Sequence, residues 1–158
     1  MKGSEKVIQK LNELLAEELT AVNQYMVHSE MCENWNYERL HKMDRARAFT
    51  EMVHAEKLIE RLLFLEGRPN VSTLQTIRIG EEVEAQHKND LALEISAVKA
   101  YNEAIKIAVG EGDNGTRDLL NSILREEEEH LDELEAQLDQ INQMGKPIYL
   151  AQQIRPKD

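Results

Sequence analysis

Cysteine is almost absent from this chain: Cys32 stands alone among 158 residues. One thiol excludes an intrachain disulfide framework and a cysteine-built zinc site, and it suits a reducing compartment, so a cytoplasmic location is expected. Proline (3), glycine (7) and aromatics (4%) are also scarce, which points to a helical protein with few interruptions. No apolar run approaches the roughly 18 residues that cross a bilayer, and no apolar signal core follows Met1-Lys2-Gly3-Ser4-Glu5. No membrane partner is expected. Positive charge is in deficit, with 19 Lys and Arg against 30 Asp and Glu and a net charge of −11. With no basic stretch to offset it, this balance argues against a nucleic-acid binder. An acidic surface is compatible with attracting cations, although most such surfaces are simply solvated. The length suits one compact domain spanning 1–158.

What is present is apolar periodicity of three and four residues, the mark of amphipathic helices. It predicts a first helix from about Ser4 to Glu33 (Val7, Ile8, Leu11, Leu15, Leu19, Val22, Met26) and a second from Glu38 to Glu66 (Leu58, Leu62, Leu65), with Gly67 as its C′ residue. A third is expected from Glu82 to Val109 (Leu91, Val98, Ile105, Ala108) and a fourth from Thr116 to Met144 (Leu120, Ile123, Leu131, Leu134, Leu138, Ile141). Gly145-Lys146-Pro147 stops the fourth and can start a short fifth. Short links, Asn34–Tyr37 and Gly110–Gly115, imply two antiparallel hairpins. The link from Gly67 to Glu81 can reach roughly 50 Å, longer than a helix of about 42 Å. It can therefore cross the whole bundle and leave helices two and three parallel. The fold class is all-α: a ferritin-like four-helix bundle with one long crossover and a short C-terminal helix.

Glu-x-x-His sets a carboxylate and an imidazole on one helix face, but the pattern is weak, occurring four times: Glu38/His41, Glu51/His54, Glu84/His87 and Glu127/His130. Position along the hairpins separates them. Glu18 lies 17 residues before a turn near position 35 and Glu51 lies 16 after it; Glu94 lies 18 before a turn near 112 and Glu127 lies 15 after. All four sit at mid-bundle. Adding 76 to positions 18, 51 and 54 gives 94, 127 and 130, so the chain carries two copies of one half-site. Glu38/His41 and Glu84/His87 fall in first helical turns, where the helix dipole alone favours acidic residues.

The selected glutamates are flanked by apolar core positions, with Arg47 the one nearby cation. Buried without compensation, each would cost several kcal/mol. Two divalent metals would balance four carboxylates and two neutral imidazoles. Oxygen and nitrogen ligands around paired metals suit iron or manganese better than structural zinc. Tyr25 and Tyr101, each seven residues beyond Glu18 or Glu94, are candidates for hydrogen bonding to the site or for carrying a radical, with ordinary core tyrosines an equal alternative. Glu126 is placed to orient a ligand imidazole, and Thr50 more weakly so.

These residues lie in segments that resemble bacterioferritin along nearly the whole chain: Met1-Lys2-Gly3, Glu18-Leu19-x-Ala21-x-Asn23-Gln24-Tyr25, Glu51-Met52-x-His54-Ala55-Glu56, Ile59-Glu60-Arg61-x-Leu63-Phe64-Leu65-Glu66-Gly67, Asp90-Leu91-Ala92-Leu93-Glu94 and Arg125-Glu126-Glu127-Glu128-x-His130. The resemblance implies that Glu18, Glu51, His54, Glu94, Glu127 and His130 form a di-iron ferroxidase centre that oxidises Fe(II) with O2 or H2O2. It also implies a 24-subunit homo-oligomeric shell that stores Fe(III) mineral, haem b between subunit pairs with Met52 as axial ligand, and a small ferredoxin as reductant for iron release. Helical phase turns Met52 about 100° from Glu51, compatible with a neighbouring subunit. Some family members carry an inner-surface His and Asp iron site at the positions of Ala46 and Thr50; this chain lacks both, which leaves passage through the centre, with His130 as a gate, as the expected route. A peroxidase related to rubrerythrin (without its Cys-x-x-Cys pairs), a manganese catalase and a non-enzymatic haem-carrying shell remain as alternatives.

Overall fold

The computed structural model describes residues 1–155. Five helices follow one another: α1 (Glu5–Asn34), α2 (Glu38–Phe64), α3 (Val83–Gly110), α4 (Asn114–Met144) and α5 (Lys146–Gln153). No strand occurs among the described residues. α1 packs on α2, α3 on α4 and α1 on α3. Cross-bundle contacts fix the directions. Tyr25 meets Glu94 while Tyr101 meets Glu18, so α1 and α3 run antiparallel. Arg47 meets Glu133 and Arg61 meets Thr116, so α2 and α4 do too. With each hairpin antiparallel, α2 and α3 are parallel, as the long crossover requires.

Helix ends follow from local chemistry. The Glu82 carboxylate accepts from the Glu84 and Ala85 amides at the start of α3, and Asp113 accepts from Thr116 N–H at the start of α4. Three helices close with the same left-handed turn. Asn36, Glu66 and Gly112 have φ of 64°, 60° and 72°. Tyr37, Gly67 and Asp113 donate back to the carbonyls of Cys32, Leu62 and Ala108, the six-to-one bond of a Schellman motif. The expected C′ residue of α2 is thereby corrected by one position. Glu66, not Gly67, takes the left-handed conformation, and α2 ends at Phe64 rather than Glu66. Gly67 serves close approach instead, since a Cβ there would lie 2.9 Å from Ile8 Cγ2.

The core gathers Val7, Leu11, Leu14, Leu15, Leu58, Leu62, Leu65, Tyr101, Leu120 and Ile123. On α3 the expected apolar stripe is turned from the inner face, and of its four residues only Ala108 is fully buried. Leu91, Val98 and Ile105 are only partly buried, while the buried face is Asp90, Glu94, Ala97, Tyr101, Ala104 and Ala108. Small and polar side chains form that face because it packs closely on α1 and lines a polar interior, so a hydrophobic count passes over it. Met26, assigned to the α1 stripe, is half exposed.

The crossover is pinned along α1 by a polar stripe. Asn12 Oδ1 accepts from Asn70 N–H, Thr20 Oγ1 from Gln75 N–H, Gln24 Oε1 from Arg78 N–H and His28 Nε2 from Gly80 N–H, at 2.8 to 3.1 Å. These residues recur at multiples of four, one helix face. They satisfy backbone groups that an irregular strap would otherwise bury unpaired. Because His28 Nε2 is an acceptor, Nδ1 carries the proton, donated to Asp90 Oδ2 at 3.1 Å. Gly80 is required there: a Cβ would lie 2.3 Å from Gln86 N.

Candidate metal centre

Four helices each deliver a glutamate to the bundle's middle. Glu18, Glu51, Glu94 and Glu127 are all at most 2% exposed, and His54 is fully buried. The six residues selected from the sequence come together as two overlapping sets: Glu18, Glu51, His54 and Glu127, and Glu51, Glu94, Glu127 and His130. Within each set one ligand atom per residue lies within 4.8 Å of the others. Glu51 and Glu127 belong to both sets, so two metals held there would share two carboxylates. The His54 and His130 rings stack with centroids 6.3 Å apart.

His54 shows why protein groups alone leave this cluster incomplete. Its Nδ1 lies 2.7 Å from Glu127 Oε1, 3.2 Å from Glu51 Oε2 and 3.5 Å from Glu18 Oε2. One ring nitrogen cannot serve three oxygens. Glu127 Oε1, despite its short distance, is off the line of a hydrogen bond and is left buried without a partner. Glu126 Oε2 lies 3.1 Å from His54 Nε2. A proton held there on Nε2 leaves the Nδ1 lone pair for a cation. A metal between these groups would satisfy every one of them.

The electrostatics agree. Burial and the facing charges of Glu51 and Glu127 push the Glu18 carboxyl well up. Burial, then Glu127 and Glu51, do the same to Glu94. Burial works against Glu51 too, yet hydrogen bonds with Glu18, His130 and His54 hold it well below the usual carboxylate range. Burial lowers His54, but Glu127, Glu18 and Glu51 more than reverse this and hold it protonated. Without metal, then, the cluster holds protons where cations of higher charge would fit.

Supporting residues complete the picture. Tyr25 donates to Glu94 Oε1 at 2.5 Å and Tyr101 donates to Glu18. Glu126 reaches a ligand imidazole, but Thr50, its counterpart in the other half-site, donates to its own helix at Ala46 O. Arg47 contributes more than its sequence position suggested. It is buried, its Nη2 lies 2.5 Å from Glu133 Oε2, its Nη1 lies 3.9 Å from Glu94 Oε1, and its guanidinium sits 5.7 Å from the Tyr25 ring centroid.

The other two Glu-x-x-His pairs do not join. His41 turns to Glu33 at 3.2 Å near the α1–α2 turn. Glu84 pairs with Lys146 and Lys88 on the surface, whereas His87 is buried with Nε2 2.9 Å from Tyr149 Oη. Met52 lies outside the centre, 40% exposed, in a groove with Val22, Met26, Ala48, Phe49 and Arg45.

Comparison with known proteins matches this arrangement. The Ferritin-like domain pattern covers residues 8–144. The chain is 41% identical over 158 residues to a bacterioferritin of Brucella melitensis, covering 100% of this chain and 98% of that protein. It is 40% identical over 152 residues to a bacterioferritin of Mycolicibacterium paratuberculosis, covering 96% of each. It is 39% identical over 158 residues to one of Rhodobacter capsulatus, covering 100% and 98%.

Proposed function

The chain belongs to the bacterioferritin family of ferritin-like proteins, and from that premise we propose that it oxidises Fe(II) at the Glu18, Glu51, His54, Glu94, Glu127 and His130 centre and stores the Fe(III) product inside a homo-oligomeric shell of 24 subunits. The observation that carries this reading is the sharing of Glu51 and Glu127 between two ligand sets. Iron enters as substrate. Two Fe(II) supply two electrons, which with two protons reduce O2 to H2O2 or H2O2 to two waters. Paired binding lets both electrons leave together, and four carboxylates neutralise the incoming charge of two divalent ions. Glu126 keeps His54 oriented, while Tyr25 and Tyr101 hold the terminal carboxylates in place.

His130 is the freer imidazole, with a side chain 12% exposed against 0% for His54. This supports His130 as the ligand that moves when iron leaves for the interior, a route suited to a chain with Ala46 and Thr50 in place of an inner-surface iron site. The exposed Met52 in its apolar groove, with Arg45 able to meet an acidic edge, fits haem b held between two subunits. Haem would supply an electron-transfer group for reductive release of iron, with a small ferredoxin as donor. The expected location is the cytoplasm; no helix among the described residues is long and apolar enough to cross a membrane.

The deciding experiment adds two Fe(II) per subunit in air to wild type and to Glu127→Ala. A fast phase saturating near two iron per subunit, and lost in the variant, is expected. Slow, unsaturable oxidation in both proteins would refute the catalytic reading.

A further inference from the structure

Next to Glu18, turned away from the interior ligands, α1 carries a second buried carboxylate. Glu17 is 8% exposed, and its Oε2 is buried with no hydrogen-bond partner. Its other oxygen accepts a long bond, 3.4 Å from Ser96 Oγ. An unpaired buried carboxylate oxygen loses its hydration without a replacement, which calls for a ligand. Glu17 lines a cavity of about 340 Å³ between α1, α3 and the crossover, together with Glu13, Gln75, Ser96, Lys99 and Glu103. Burial pushes the Glu17 carboxyl up, and the neighbouring Gln75 and Ser96 side chains only partly offset it, while Oε2 still has no partner within hydrogen-bonding geometry.

The chemistry of this cavity is that of a hard cation. Glu17, Glu103, Ser96 and Gln75 offer oxygen donors. Lys10 lines the cavity too and pairs with Glu13 at 2.6 Å, so three carboxylates, Glu13, Glu17 and Glu103, meet two ammonium groups, Lys10 and Lys99, and the lining keeps a net negative charge. The volume exceeds that of one water, about 30 Å³ in the liquid, so a cation can keep part of its hydration shell. Successive helical residues point about 100° apart: Glu18 faces the paired centre and Glu17 faces this cavity, with one peptide unit between them.

We propose that this cavity is a divalent-cation site anchored by Glu17 that collects Fe(II) from solvent beside the paired centre. The role in supply rests on the ferroxidase reading; the cation site itself does not. Substituting Glu17→Gln keeps the shape and removes the charge, and affinity at a site governed by ligand charge falls by about tenfold or more.

Crystals of the assembled protein soaked in Co(II) provide the test, by anomalous scattering from wild type, Glu17→Gln and Glu127→Ala. The expected result is a cobalt peak bound to the Glu17 carboxylate in wild type and in Glu127→Ala, lost in Glu17→Gln while the peaks at Glu51 remain. If no peak forms there at a concentration that fills the paired centre, or if it survives Glu17→Gln, the cavity holds only water and the proposal is overturned. Iron oxidation separates this from the main reading. A cobalt peak at Glu17 together with an unchanged fast phase in Glu127→Ala would uphold the cation site and remove the ferroxidase. A fast phase abolished by Glu127→Ala but equally fast at limiting Fe(II) in Glu17→Gln would uphold the ferroxidase and remove the supply role.

Discussion

Tyr25 on α1 donates a hydrogen bond to Glu94 on α3, and 76 positions later Tyr101 on α3 donates one to Glu18 on α1. Each half-site thus supports the other's terminal glutamate. The internal repeat in the sequence becomes an approximate two-fold exchange across the bundle.

Removing one of these hydroxyls strips a buried carboxylate of its donor. Tyr101→Phe is expected to destabilise the metal-free protein by about 1–3 kcal/mol, with the usual cost of an unsatisfied buried group. Chemical denaturation of the chelated protein measures it. Equal stability of the two proteins would show that Glu18 finds another partner.

The halves differ in how their imidazoles are held. Glu126 holds His54, while Thr50, at the equivalent position, bonds to its own helix. Glu126→Ala is therefore expected to weaken metal binding at the Glu18 and His54 side by about 10- to 100-fold, the usual effect of deleting a ligand's outer partner. Anaerobic Fe(II) titration should resolve one weakened and one unaltered site; a uniform loss at both would argue against separate support.

Metal loading should expel protons. Burial and facing carboxylates raise Glu18 and Glu94, and neighbouring carboxylates raise His54 against its burial, so the metal-free cluster retains protons at neutral pH. Cations must displace them, and affinity is expected to fall as pH falls. Calorimetry in buffers of different ionisation enthalpy reads the release directly. A binding enthalpy independent of buffer would contradict it.

His87 makes a second pH prediction, away from the candidate metal centre. Burial lowers it from 6.5 to about 4. Tyr149 donates to Gln137, so His87 Nε2 donates to Tyr149, and Nδ1 is left buried without a partner. A histidine with a depressed folded pKa stays neutral in the folded state while the unfolded chain takes up a proton. Its contribution is complete above pH 6.5 and is lost as pH falls toward about 4, some 3 kcal/mol in all. His87→Gln keeps a donor for Tyr149 without titrating. Unfolding of both proteins at pH 7 and pH 4.5 should show the larger acid loss in wild type; parallel losses would exclude His87.

Glu66 occupies a left-handed position, φ 60°, that costs a side-chain-bearing residue about 1–2 kcal/mol. Glycine relieves this at some cost in unfolded-chain entropy. Glu66→Gly is expected to stabilise the protein by up to about 1 kcal/mol, seen as a raised Tm, and a lowered Tm would show that the Glu66 side chain has a stabilising role.

Much of this was legible in the chain itself. Apolar spacing located four long helices to within two residues at most ends, and link lengths dictated antiparallel hairpins and a full-length crossover. The repeat of Glu, Glu-x-x-His at an offset of 76 marked six residues that do converge, because in antiparallel hairpins on short turns positions equidistant from the turn come to one level. The polar stripe Asn12, Thr20, Gln24 and His28 that pins the crossover went unread, because its partners are backbone groups, which no residue pattern displays.

Helical rotation and neighbour identity needed the tertiary structure. The inner face of α3 is alanine, tyrosine and acid, so hydrophobicity placed it about 60° away. The depth of Arg47 beside Glu94 and Tyr25, the turning of Thr50 to its own helix, and the burial of Glu17 all depend on which helix lies opposite. Sequence determined which residues share a level along the bundle, because rise per residue is constant. Only packing decided which of them are sealed from water, and that sealing gives a carboxylate the need for a cation.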